Sequence, residues 1–249
     1  VRSGNQRIVK QGAGKLILSL ANSHTEGTAV EAGELVVKNV SALGTGGLEI
    51  AAGAKVSLDV GSAGIKIGFI KFDGLLDIDR ASLTVASGLT QSGVVAALAA
   101  ARGDGSWNGP QGITSGAAAG AAAVARDRRI GWLDNGDGSF TMTYTAPGDT
   151  NLDGQVDILD ATNMFTSGRY DTGTGTAWAA GDFNYDGVFD VLDISDFFTA
   201  DQYDAGPVSQ APATAATAGG LSAGDLAFAA LAADTTSSTT PRKRAFATI

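Results

Sequence analysis

GAGKLILSLANSHTEGTAVEAGELVVKNVSALGTGGLEIAAGAKVSLDV, residues 12–60, decides how the first part of this 249-residue chain is built. Apolar side chains recur at every second position in short runs: Leu16, Leu18 and Leu20, then Leu35 and Val37, Leu48 and Ile50, and Val56, Leu58 and Val60. Period two is the pattern of a half-buried strand, and the glycines between the runs mark turns. The phrases follow one another at a spacing that predicts solenoid rungs rather than a compact barrel. The shortness of this stretch matters, since a rung cannot bury its face without neighbours. Residues 61–90 continue as strands, with Ile65, Ile67 and Phe69 on one phase and Leu76 and Ile78 after a DG turn.

Working outward, residues 91–146 read as an Ala/Gly-rich connector. Residues 91–102 predict a short Ala-rich helix ended by GDG, and SWNGPQGITS predicts a loop in which Trp107 and Ile113 pack down. A second, weaker helix is expected over 117–129, then a hairpin of 130–133 against 139–145 around DNGDG. Asp134 and Asp137 fit that turn better than a metal loop, because no acid stands at the twelfth position.

DTNLDGQVDILD (149–160) and DFNYDGVFDVLD (182–193) carry the chemistry. Oxygen side chains fall at loop positions 1, 3, 5, 9 and 12: Asp149, Asn151, Asp153, Asp157 and Asp160, then Asp182, Asn184, Asp186, Asp190 and Asp193. A hard cation such as Ca²⁺ takes six to eight oxygens. Gly154 and Gly187 at position 6 permit the sharp turn that adds the carbonyls of Gln155 and Val188 at position 7. Two full copies, 33 residues apart, predict two Ca²⁺ ions. Position 12 is Asp rather than the Glu of an EF-hand, and no amphipathic helix enters either loop, so each unit is a loop followed by one helix. Val156 and Phe189 at position 8 are expected to bridge the two loops.

Loop, exiting helix, linker, loop and exiting helix, with Asp at position 12 and Trp178 ahead of the second loop, resembles the type I dockerin family over about 147–204. The resemblance implies two calcium ions, two antiparallel helices related by a pseudo-twofold axis, and a cohesin-like protein as partner. The apolar pairs Ile158 and Leu159, and Val191 and Leu192, stand at positions 10 and 11, which in dockerins form part of the cohesin-recognition surface. Core packing with Phe165, Ile194, Phe197 and Phe198 is the competing role, with one residue of each pair turned inward. Residues 12–60 separately resemble the autotransporter-associated β-strand repeat of bacterial surface proteins, with Ala21 where that pattern has Gly.

Charge and composition narrow the function. The formal charge is −9, and 147–204 alone hold twelve Asp against Arg169, so that stretch is expected to fold poorly until a cation neutralises it. No basic stripe suits nucleic acid. There is no Cys, and the longest apolar run, VVAALAAA, is too short to span a bilayer. His24, the single histidine, lies in a polar turn and reads as solvated rather than catalytic; Asp77 and Asp79 on a strand read as an outer row rather than a glycosidase pair. No catalytic residue is predicted. Residues 205–249 read as a flexible linker, a short helix over 226–233 and a disordered tail ending in PRKRAFATI.

The sequence thus predicts a mixed β and α fold in four parts: β-solenoid-like strands (1–90), connector with hairpin (91–146), small helical dockerin-like module of paired loop-helix units (147–204), and tail (205–249). The expected protein is a monomeric, secreted or surface-exposed bacterial fragment that is not an enzyme, and its work is calcium-dependent protein interaction. Two further roles stay open: a calcium-rigidified stem of a β-solenoid adhesin, and the non-catalytic end of a polysaccharide-degrading enzyme.

Overall fold

The computed structural model describes residues 3–208, which lie in one compact unit. What the sequence predicts for 209–249, including the helix over 226–233, falls outside the described residues. The chain begins with six short strands, β1 (Ser3–Gly4), β2 (Ile8–Lys10), β3 (Lys15–Leu18), β4 (Ser23–His24), β5 (Thr28–Val30) and β6 (Glu34–Val37). Next come β7 (Leu48–Ile50), β8 (Lys55–Leu58), β9 (Gly64–Phe72), β10 (Leu75–Asp77) and β11 (Ser82–Ser87). They stack in parallel as about four solenoid turns. Lys15, Glu34, Lys55 and Leu75 are registered side by side, about 20 residues apart along the chain, a repeat length within the solenoid range.

One sheet runs β3, β6, β8, β10 and β12 (Gly112–Thr114). The other runs β2, β5, β7, β9, β11, β14 (Phe140–Thr145) and β13 (Arg129–Asp134), with β11, β14 and β13 antiparallel. Between the sheets, the alternating residues expected from the sequence form the core: Leu35, Val37, Leu48, Ile50, Val56, Leu58 and Leu76 are all buried. Their outward neighbours pair charges across rungs, Lys15 with Glu34 at 2.9 Å and Lys55 with Asp77 at 3.0 Å. Exposed pairs of this kind contribute little individually, about 0–1 kcal/mol, but like charges in register would be penalised, so they favour one stacking order.

Four expectations are corrected. The phase of β9 changes: Ile65 and Ile67 are buried, but Phe69 is exposed and Ile70 buried instead. Its first half pairs with β11 and its second half with β7, and the Phe69 ring lies over Gly47, where a Cβ would collide with it. Ile113 is buried as expected but on strand β12, which completes the five-stranded sheet after α1 (Gln91–Arg102). The second connector helix, α2 (Gly116–Ala122), stops well short of residue 129 because the chain turns left-handed at Ala125, φ 54°, and Arg129 opens β13. His24 is buried, its Nε2 at 3.0 Å from Thr28 Oγ1.

Asp77 pairs with Lys55 and accepts the N–H of Gly116 at 2.8 Å. Asp134 and Asp137 accept the N–H of Gly136 and Ser139 two residues on, as expected of a turn. Among the described residues no helix is long and apolar enough to cross a membrane.

Candidate functional site

The first acidic loop comes shortly after β14. It leads into α3 (Ile158–Thr166); the second follows a single 3-10 turn, Trp178–Ala180, and leads into α4 (Val191–Thr199). Both helices have nine residues, too few for stability in isolation. Their start is fixed by side chains. Asp157 is the N-cap of α3, accepting the N–H of Leu159 at 2.8 Å, and Asp190 caps α4 through Leu192 at 2.7 Å. Asp160 and Asp193 complete capping boxes.

The position-12 carboxylates also tie each loop together. Asp160 accepts the N–H of Thr150 (2.9 Å), Asn151 (3.3 Å) and Asp157 (2.9 Å); Asp193 accepts those of Phe183 (2.8 Å), Asn184 (3.1 Å) and Asp190 (3.0 Å). At positions 3 and 5, Asn151 accepts from Asp153 and Asp153 from Gln155; Asn184 and Asp186 do the same in the second loop. Gly154 and Gly187 have φ of 83° and 86°, the left-handed region that position 6 requires. The two loops therefore share one set of backbone N–H to side-chain bonds, to which the first adds the Thr145 and Thr150 hydroxyls.

Position 1 holds a buried acid in each loop. Asp149 and Asp182 are wholly buried. One oxygen of each is used: Oδ2 of Asp149 accepts from Thr145 and from Gly154 N–H at 3.1 Å, and Oδ2 of Asp182 from Gly187 N–H at 3.1 Å. The other oxygen, Oδ1, is buried without a hydrogen-bond partner in both. Burial raises the pKa of both carboxyls to about 7, with neighbouring acids adding to the effect. Burial also raises that of Asp193.

An orphaned buried carboxylate oxygen is costly unless something positive meets it. The donor set suits a hard cation, since it is all oxygen, and a carboxylate has lone pairs enough to accept a backbone N–H and still ligate. Among the described residues, no group of three or more His, Asp or Glu side chains is arranged to hold a metal ion as it stands. The Asp side chains at positions 5, 9 and 12 are engaged with backbone N–H groups. Position 7, Gln155 and Val188, offers backbone carbonyls.

The bridge expected between Val156 and Phe189 takes a different form. Both are buried, but each is held by the segment that follows the opposite helix: Asp204 N–H donates to Val156 O at 2.8 Å, and Asp171 N–H to Phe189 O at 2.9 Å. Asp171 and Asp204 are themselves 33 residues apart. The halves clasp each other reciprocally.

The apolar pairs do not divide between core and solvent. Ile158, Leu159, Val191 and Leu192 are 64 %, 61 %, 64 % and 58 % exposed, and Phe165 and Phe198, expected in the core, are exposed too. Phe197 is buried, as core packing predicted, together with Met164.

Sequence reasoning missed the residues that seat the loops. Arg129, 2 % exposed, pairs with Asp127 at 2.6 Å and Asp196 at 2.7 Å and donates to the Phe183 carbonyl at 2.6 Å. Burial works against its charge, but hydrogen bonds to Asp196 and Asp127 outweigh burial and hold its pKa above the ordinary value. Trp178 Nε1 donates to the Asp149 carbonyl at 2.6 Å. The signal for Arg129 was a basic pair, Arg128-Arg129, beside an acidic stretch; the sequence marks Trp178 ahead of the second loop, but not its bond to Asp149.

Comparison with known proteins bears on the other end of the chain. The passenger-associated-transport-repeat family matches residues 8–37. That stretch holds β2 through β6, two neighbouring strands in each of the main sheets, so the repeat and the solenoid coincide. The repeat match does not reach the two loops. No curated protein and no solved structure matches the chain.

Proposed function

We propose that this chain is a structural, non-catalytic part of a secreted or surface-exposed bacterial protein, a β-solenoid stem whose last strands are closed by a two-calcium module. The autotransporter-associated repeat supports the surface location and the stem. The observation that carries the calcium part is the pair of buried, unpartnered oxygens, Asp149 Oδ1 and Asp182 Oδ1, at the same position of two equivalent loops. Asp149, Asn151, Asp153, Asp157 and Asp160, with the Gln155 carbonyl, would hold one ion. Asp182, Asn184, Asp186, Asp190 and Asp193, with the Val188 carbonyl, would hold the other. Calcium would supply the positive charge that twelve Asp and one Arg leave missing in 147–204. The residues themselves cap the helices, clasp the halves and seat the module on β13.

Limited proteolysis with and without chelator tests this. The stem function predicts resistance throughout 3–208 in calcium, with new cuts between 147 and 204 when calcium is removed; an identical digestion pattern in both conditions would overturn it.

A second function has its own observation. Ile158, Leu159, Val191 and Leu192 are exposed in two equivalent patches, as a surface for a cohesin-like partner requires. Docking and stem work are compatible, but the repeat supports the stem alone.

A further inference from the structure

β13 is the edge strand of the seven-stranded sheet, and an open edge is a liability that folded proteins cover. Here the cover comes from the fourth position of each acidic loop. Leu152 and Tyr185 occupy that position and adopt the left-handed conformation, with φ of 60° and 66°. For non-glycine residues this is uncommon and costs energy that other contacts must offset. Those contacts are with β13. The Tyr185 hydroxyl accepts the N–H of Ile130 at 3.1 Å and donates to the Ile130 carbonyl at 2.8 Å, so one side chain satisfies both main-chain groups that a further strand would have taken. Its ring is buried, stacked on Trp178 with centroids 5.9 Å apart and edge-on to Trp107 at 6.2 Å. Leu152 and Trp178 press on Gly131 so closely that a Cβ there would collide with both. One residue further back, Arg129 holds the Phe183 carbonyl, next to Asp182.

We infer that the two loops act as a calcium-dependent clamp on the free edge of β13, so that ion binding and closure of the solenoid's sheet edge are one coupled event. The inference rests on the calcium sites proposed above and goes beyond them. A loop that wraps an ion fixes its position-4 backbone in the left-handed turn, and that turn aims Leu152 and Tyr185 at β13. A loop without its ion has clustered carboxylates that repel, and the turn that presents those side chains is no longer held.

Hydrogen exchange of the full chain, followed alongside calcium calorimetry, tests the clamp. Calcium is expected to slow exchange of the Ile130 amide at least tenfold, while amides of β6 and β8 stay within twofold. Tyr185→Phe should still bind two ions, yet its Ile130 amide in calcium should exchange at least tenfold faster than in the parent protein. Two bound ions with unchanged protection at Ile130 would overturn the clamp and leave the calcium sites standing. Failure to bind calcium at all would overturn both.

Discussion

Arg129 concentrates the electrostatics of the molecule in one side chain. It is a buried cation between Asp127 and Asp196, and its guanidinium joins β13 to α4 and to the start of the second loop. Breaking such a group from one side leaves its partners unpaired, which costs about 3–5 kcal/mol. Arg129→Met should fall toward the lower end, because Asp127 and Asp196 keep 26 % and 23 % of their side chains in water. Urea unfolding in calcium measures the loss. Asp149 and Asp182 give a second prediction at this scale. Folding raises both carboxyls from 3.8 to about 7, so the metal-free fold keeps protons that the unfolded chain has released. Their contribution is fully present below about pH 4 and disappears as pH rises through about 7. Thermal melts in chelator should therefore fall between pH 5 and pH 8, while the increment produced by added calcium grows over the same range, because ligation needs the ionised form. A calcium increment that shrinks with rising pH would contradict the assignment of these two residues.

At the scale of the element, α3 and α4 repeat one design: an Asp N-cap, an Asp three residues later, and exposed apolar side chains on the first turn. Since Leu159 and Leu192 are 61 % and 58 % exposed, Leu159→Asp with Leu192→Asp should change stability by no more than about 0.5 kcal/mol each, the usual range for surface substitutions. Calcium binding should persist while any calcium-dependent capture of a cohesin-like partner is lost. Unfolding of the double variant would place these side chains in a core. Much at this scale was legible beforehand. Residues 91–102 form the predicted helix because Thr90 caps it and Gly103 ends it, both local signals. The loop geometry was legible for the same reason, each turn being set by an Asp, Asn or Gly within a few residues. What depended on distant partners was not: the phase change in β9 follows from its pairing with two different neighbours, and residue 129 opens β13, its guanidinium held by Asp196, 67 residues further on. Period-two alternation located the solenoid strands but could not show that β12 returns to the sheet after α1.

Across the whole molecule, the solenoid and the two-loop module are packed as one unit through β13, Arg129, Trp178 and Tyr185. The core of the stem comes from stacked rungs and needs no ion. The proposed clamp makes its last edge depend on the module, and the module on neutralisation of its acidic charge. Differential scanning calorimetry of the full chain over a range of calcium concentrations tests that dependence most directly. Two ions that bind only the folded form add about 2.8 kcal/mol of stability for each tenfold rise in calcium above their dissociation constants. The account predicts one cooperative transition that climbs steadily with calcium. Identical melting in calcium and in chelator, or a solenoid transition that stays fixed while a separate module transition moves, would contradict it.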